Sequence, residues 1–230
     1  MQSAKPPSLG RPPRIAAWRW RRDLWLWPLA SLLGACTTVP TPALIALPAV
    51  ALQNPTTVSA FGPTRRVLMV HRLTIPEYMA ARRVRYWDGP ATLAEWPDAW
   101  WAERIEVGMA REFLAALRAR LPGWSICDGS CGSALPDLVL RASVLRLDAI
   151  RRDRTLSARV RGQLSLAEAG AVPPEQMPAW SGVFTLPLPA DSAQGEAMAI
   201  RALLIGMADA FGLAIENTPL PVAVVIPDSR

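Results

Sequence analysis

Strict alternation of apolar and polar residues marks the second half of the chain. Along Thr155–Glu168 one set of alternate positions is apolar or glycine and the other is polar, which is the period of a strand with one dry face. The preceding segment, Asp137–Ile150, also alternates but shifts phase after Val144, as an inserted residue would cause. Because a short arginine-rich turn, residues 151–155, joins the two, they predict a long antiparallel hairpin with a β-bulge near Val144.

Three more strands are predicted around this hairpin. Trp180–Leu188 alternates in the same way and predicts a third strand of the same meander. Earlier in the chain, Arg66–Leu73 is apolar in its middle and stops before Pro76, while Arg83–Trp87 runs into an Asp-Gly-Pro turn. Both segments have the length of short strands.

Two segments have helical rather than strand periodicity. In Asp98–Leu121 apolar residues such as Met109 and Phe113 recur every three or four positions, with charged residues on the other side. The second, Asp191–Leu213, begins at a favourable N-cap, Asp191 or Ser192. The pattern predicts an α+β fold: a mostly antiparallel sheet with a long hairpin meander and two helices packed on one face.

The N-terminal residues have the three-part pattern of a bacterial lipoprotein signal peptide. Residues 5–22 carry six basic side chains, Leu24–Leu33 is apolar, and Leu33–Ala35 precede Cys36. We therefore expect cleavage before Cys36, which would carry the lipid. The apolar run is shorter than the roughly 20 residues that span a bilayer, which argues against a signal anchor. The pair Arg21-Arg22 is a weak indication of twin-arginine export.

Most of the net positive charge of the chain belongs to the predicted signal peptide. Residues 1–35 hold six basic side chains and one acidic one, so they carry most of the formal net charge of +6. The rest of the chain is close to neutral, and its bulk charge gives no reason to expect nucleic-acid binding. Thr37 stands where the inner-membrane retention signal typically has Asp. We therefore expect attachment to the outer membrane, facing the periplasm.

Proline distribution suggests the domain boundaries. Residues 37–63 are poor in charge and interrupted by five prolines, which is typical of an extended tether, although Ala43–Leu52 is apolar enough to dock as an edge strand. The predicted organisation is a signal peptide (1–35), a lipidated cysteine and proline-rich tether (36–64), a periplasmic α+β domain (65–217) and a loose C-terminal tail (218–230).

Two cysteines remain beyond Cys36. Cys127 and Cys131 are separated by Asp-Gly-Ser, and in an oxidising compartment we expect them to form a disulfide across this turn. A zinc site would need four nitrogen or sulfur ligands, and His71 is the only histidine. A redox-active pair would have two intervening residues at a helix start. Both alternatives are less compatible with the pattern than a structural disulfide.

The sequence lacks the motifs of an enzyme. His71 lies in a strand pattern, which favours a packed residue over a base. Gly129-Ser130-Cys131 lacks the spacing of a nucleophile elbow, and no glycine-rich phosphate loop is present. We therefore expect no catalytic residues, no metal and no cofactor.

Two groups of residues are candidates for partner binding. The first is the hairpin turn, Arg151, Arg152 and Arg154, near Arg159 and Arg161, which could meet an acidic partner or anionic head groups; a solvated hairpin end is the alternative. The second is an aromatic group, for which core packing at the start of the first helix is the alternative. Its members are Trp96, Trp100 and Trp101, with Trp87 nearby in sequence.

A family resemblance rests on three segments: Val84–Pro90, Trp101-Ala-Glu103 leading into the amphipathic helix, and Asp137–Asp148. With the order of lipidation site, tether, strands, helix, hairpin and helix, they resemble the PqiC/YmbA family of ABC-type transport auxiliary lipoproteins over residues 31–213. The resemblance implies a non-enzymatic accessory lipoprotein that works with an MCE-domain protein in moving lipids between membranes, with a homo-oligomer as a further possibility. An envelope assembly or scaffold lipoprotein and a periplasmic hydrolase are the alternatives.

Overall fold

Eight strands and two helices make up the described part of this computed structural model, which comprises residues 41–50, 66–166 and 179–219. The strands are β1 (Ala43–Ile45), β2 (Arg66–Val70), β3 (Arg83–Trp87), β4 (Leu93–Trp101), β5 (Trp124–Asp128), β6 (Leu138–Ile150), β7 (Thr155–Leu166) and β8 (Ala179–Pro187). The helices are α1 (Ile105–Arg120) and α2 (Ala193–Glu216), and a single 3-10 turn lies at Glu77–Met79. The predicted lipidation site, Cys36, and the boundary at residue 65 lie outside the described residues.

The predicted α+β class is confirmed, and the sheet is mixed. The pairs β3–β4, β6–β7 and β7–β8 are antiparallel. The pairs β1–β4, β2–β5, β2–β6 and β3–β6 are parallel. Two of the parallel pairs involve β6, because β2 and β3 both lie beside the edge of β6 that faces away from β7, one near each end of that long strand. Sequence periodicity gives no information on such pairings between distant segments.

The long hairpin forms as predicted. β6 and β7 pair antiparallel from Leu138 opposite Leu166 to Ile150 opposite Thr155, and the register shifts between Val144 and Arg146. Leu145 is therefore the extra residue, which confirms the expected β-bulge. β8 adds to the other edge of β7 and completes the meander.

The predicted start of the first helix at Asp98 is wrong. Residues up to Trp101 belong to β4, and α1 begins at Ile105. Pro97 and the left-handed backbone of Asp98 (φ 51°) interrupt the strand, and the register with β3 shifts nearby. This irregularity breaks the alternation of the buried side chains, so the strand lacks its usual sequence pattern.

Both helices cover the same face of the sheet. Phe113 of α1 and Phe211 of α2 meet edge to face with ring centroids 5.9 Å apart. Gly162 of β7 lies directly beneath Phe211, and a Cβ atom there would come within 1.9 Å of the Phe211 ring. Glycine therefore fits this position without strain, because the aromatic ring occupies the space of a side chain. Ser192 caps α2 through its side-chain oxygen, as predicted.

Part of the predicted tether belongs to the fold. β1 pairs in parallel with β4, with Ile45 opposite Trp101, and Ile45 and Leu47 are buried in the core. The backbone N–H of Val50 donates to Glu112 of α1 at 2.8 Å. The expected docking of the segment that begins at Ala43 as an edge strand is thus confirmed for Ala43–Ile45.

Candidate functional site

The disulfide between Cys127 and Cys131 is formed, as expected. It closes a turn at the end of β5, where Gly129 adopts a left-handed backbone (φ 65°) that a side chain would strain. Cys127 lies next to Met69 in the β2–β5 register, so the turn is fixed to the sheet. Within the described residues no group of three His, Cys, Asp or Glu side chains could hold a metal ion. These contacts are those of a structural disulfide.

Arg151 does not extend freely from the hairpin turn. Its guanidinium donates to the Asp191 carboxylate at 3.0 Å and to the Tyr86 hydroxyl at 3.1 Å. It also lies 5.2 Å from the centroid of the Tyr86 ring and 5.0 Å from that of Trp96. The bond to Asp191 raises the pKa of Arg151. Arg151 therefore joins the hairpin turn to the start of α2 and to the aromatic core.

A buried carboxyl group lies behind this arginine. The indole N–H of Trp96 donates to Oε2 of Glu196 at 2.8 Å, and the side chain of Glu196 is fully buried. The other oxygen, Oε1, has no hydrogen-bond partner within the described structure. Burial raises the pKa of Glu196 to about 8, although the hydrogen bond from Trp96 acts in the lowering direction. At neutral pH this glutamate is predominantly protonated.

The three predicted tryptophans do not form one surface. Trp96 and Trp101 are buried in the core, and only Trp100 is half-exposed. The Trp100 ring lies 4.6 Å beneath the guanidinium of Arg83. The structure therefore corresponds to the core-packing alternative for Trp96 and Trp101, because alternate residues of β4 on each side of its irregularity point beneath the helices. The sequence could not distinguish the two without knowing that this segment is a strand.

Arg152 and Arg154 do extend into solvent at the hairpin turn. Arg154 has a left-handed backbone (φ 51°), and its N–H donates to the carbonyl of Arg151, which closes the turn. Neither side chain makes an ion pair within the described residues. They are the part of the predicted basic turn that stays available to a partner.

A cleft of about 360 Å³ lies beside this turn. It is lined by Trp87, Gly89, Pro90, Arg146, Asp148, Ile150, Arg152 and Asp153. The Tyr78 hydroxyl donates to Asp148 at 2.9 Å and accepts the N–H of Leu147 at 2.9 Å, and Arg146 pairs with the same carboxylate. Burial raises the pKa of Tyr78 to about 12.

The cleft has the chemistry of a binding site. It offers an aromatic wall, two guanidinium groups and two carboxylates, but no serine, cysteine or histidine lines it. A nucleophile beside a base, which acyl-transfer chemistry requires, is therefore not present in the cleft. The sequence alone does not predict this site, because Asp148 of the cleft and Tyr78, which binds it, are 70 residues apart in the chain. The cleft can hold a ligand or a partner side chain but shows no catalytic arrangement.

Comparison with solved structures shows the fold. A crystal structure of an uncharacterized protein matches 76% of this chain and 99% of its own length, with a TM-score of 0.60 and 16% identity. A DUF330 family protein from Xanthomonas campestris matches 75% of this chain and 90% of its own, with a TM-score of 0.50 and 14% identity. No curated protein matches the sequence.

The comparison with family models identifies the family. The model of the ABC-type transport auxiliary lipoprotein component matches residues 49–211, which begin shortly after β1 and end at Phe211 of α2. The match thus includes the long hairpin, the whole of α1, most of α2 and the cleft. The chain belongs to the family of ABC-type transport auxiliary lipoprotein components.

Proposed function

We propose that this chain is a non-enzymatic outer-membrane lipoprotein that acts as an accessory subunit of an MCE-type system for intermembrane lipid transport. The observation that carries the proposal is the family match over residues 49–211, which spans nearly the whole described fold. The family is that of an auxiliary component of an ABC-type transporter, so a transporter partner follows from membership. The MCE-domain partner and the lipid cargo are proposed in addition.

Membership also implies a lipid-anchored position at the cell envelope. We place the lipid on Cys36 because Leu33-Gly-Ala35 precede it in the pattern of a lipoprotein processing site. The outer membrane is favoured because Thr37 follows the cysteine. The residues between Cys36 and β1 would then separate the folded domain from the lipid.

The contact with the transport partner is proposed at the cleft and the adjoining hairpin turn. Arg152 belongs to both, and it makes no ion pair within the described structure, so its charge is available to a partner. The cleft also presents Trp87, and tryptophan and arginine are both enriched among the hot-spot residues of protein interfaces. A surface of this kind suits a rigid accessory subunit, which binds and positions other components without chemistry of its own.

The experiment is a crosslinked pull-down of the protein from solubilised envelope. Mass spectrometry would identify the captured proteins and the modification on the Cys36 peptide. We expect a diacylated Cys36 and an MCE-domain protein. Lipidated Cys36 with envelope assembly factors alone would refute the transport role and leave the anchor, while an unmodified Cys36 would refute the anchor.

A pair of variants tests the contact surface. Reversing the charge at Arg152 and Arg154 to Glu should abolish capture of the partner, because both side chains are exposed and unpaired. The matched control, Arg118→Glu with Arg201→Glu, makes the same change of net charge on the helical side. Equal capture by both double variants would exclude the hairpin turn as the contact.

A further inference from the structure

Four arginines lie on the face of the sheet that points away from the helices. We call Arg141 and Arg146 of β6 and Arg159 and Arg161 of β7 the arginine face. All four are exposed. Their orientation follows from the register, because the intervening residues of β7 are buried towards the helices, with Gly162 against Phe211. Residues with odd numbers on β7 therefore point to the opposite side.

These positive charges are close together and largely uncompensated. Arg146 and Arg159 are direct partners across the two strands, and Arg161 follows two residues later on the same side. Arg146 pairs with Asp148, whereas Arg141, Arg159 and Arg161 make no ion pair within the described residues. Like charges directly opposite each other destabilise a sheet. The presence of these arginines side by side indicates that they bind a group outside the folded domain.

Exposed aliphatic side chains accompany the arginines. Val183 of β8 is the strand partner of Arg159 and is 68% exposed, and Leu145, the bulge residue before Arg146, is 45% exposed. The carboxylate of Asp148 on this side is buried and bonded to Tyr78. Along the described parts of β6, β7 and β8 this face therefore presents arginine, small polar residues and branched aliphatic residues, without an exposed carboxylate.

We propose that the arginine face binds the anionic head groups of a membrane. Guanidinium groups pair with phosphate oxygens, and each arginine near an anionic surface strengthens binding about fivefold. Val183 and Leu145 reach the interfacial layer beside them. A protein partner is less favoured because protein interfaces are depleted of charge at their centre and anchored by aromatic residues, which these outward positions of β6–β8 lack in the described structure.

This membrane contact goes beyond the proposed transport role and can be tested without it. Every residue of the described core lies between Ile45 and Ile215, and the described residues from Thr41 onward belong to one compact unit. A chain that starts at residue 36 and carries Cys36→Ser thus retains the whole core and cannot be lipidated. It has neither anchor nor transport partner.

The test is cosedimentation of this chain with phosphatidylcholine vesicles that contain or lack phosphatidylglycerol. We expect binding to the anionic vesicles only, and release at high salt because salt screens exposed charges. The double variant Arg159→Gln/Arg161→Gln should bind on the order of 25-fold more weakly. The control, Arg118→Gln/Arg201→Gln, removes the same charge from α1 and α2 and should bind like the parent chain. Circular dichroism would verify the fold of each.

Three results would overturn the proposal. The first is a parent chain that does not bind anionic vesicles. The second is an equal loss of binding in both double variants, which would show that net charge rather than the arginine face is responsible. The third combines two observations: the arginine face crosslinks to an acidic protein, and the same chain does not bind anionic vesicles. This result would assign the surface to a protein partner.

Discussion

Replacing the buried Glu196 by glutamine should remove a pH dependence from the stability of the fold. Glu196 is fully buried, and burial raises its pKa from 4.5 to about 8. In the unfolded chain the carboxyl returns to its ordinary pKa. Between these two values the folded protein holds a proton that the unfolded chain releases, so the free energy of unfolding falls as the pH rises. Below 4.5 both states are protonated and the full stability is present.

The magnitude follows from the two pKa values. Each unit of pH between them lowers the free energy of unfolding by about 1.4 kcal/mol. The loss from this one group is therefore about 3 kcal/mol at neutral pH and about 5 kcal/mol above pH 8. Glutamine has the same shape, stays neutral and still accepts the N–H of Trp96. Its amide has two N–H donors where the protonated acid has one O–H, and the additional unpaired donor costs about 1–2 kcal/mol.

The assay is urea denaturation of both proteins at about pH 5 and about pH 8.5. At the lower pH we expect Glu196→Gln to be slightly less stable than the parent. At the higher pH it should be more stable by several kcal/mol. Glu77→Gln is the control because Glu77 is exposed and makes no ion pair within the described structure. A stability difference between Glu196→Gln and the parent that does not change with pH would refute the reasoning.

Three further substitutions test other contacts through the free energy of unfolding. Cys131→Ser opens the short disulfide loop and should cost about 2 kcal/mol, which reduction of the parent should reproduce. Gly162→Ala forces the Phe211 ring aside and should cost about 1–3 kcal/mol; an unchanged stability would show that the ring moves freely. Tyr78→Phe removes the hydroxyl from Asp148 and should cost about 1–3 kcal/mol, with the wall of the cleft loosened in hydrogen exchange.

The sequence predicted the parts of the fold that have an uninterrupted period. The hairpin of β6 and β7 was visible together with its bulge because every inward residue of the two strands is apolar or glycine, and the phase of that pattern shifts at Leu145. The strands β4 and β5 were missed for different reasons. Pro97 and Asp98 interrupt the alternation of β4, and the half-buried β5 is too short to have a clear period.

The site was predicted only in part, because its contacts join distant segments. The basic turn was recognised from its closely spaced arginines. However, Arg151 binds Asp191, which is 40 residues later in the chain, and Trp96 binds Glu196, which is 100 residues later. Local patterns give no information about such pairs. The sequence also could not separate Arg151, which is held within the fold, from Arg152, which is available to a partner.

These contacts divide the domain into a structural side and a binding side. Arg151 and the Trp96–Glu196 pair hold the start of α2 against the end of the hairpin, on the helical side of the sheet. The cleft and the arginine face lie on the other side, where Arg146 contributes to both. A change of pH that ionises Glu196 should therefore weaken the fold without altering the charge of the binding side. Stability and membrane binding should then respond to different variants. Glu196→Gln should change the stability of the fold, and Arg159→Gln should change membrane binding.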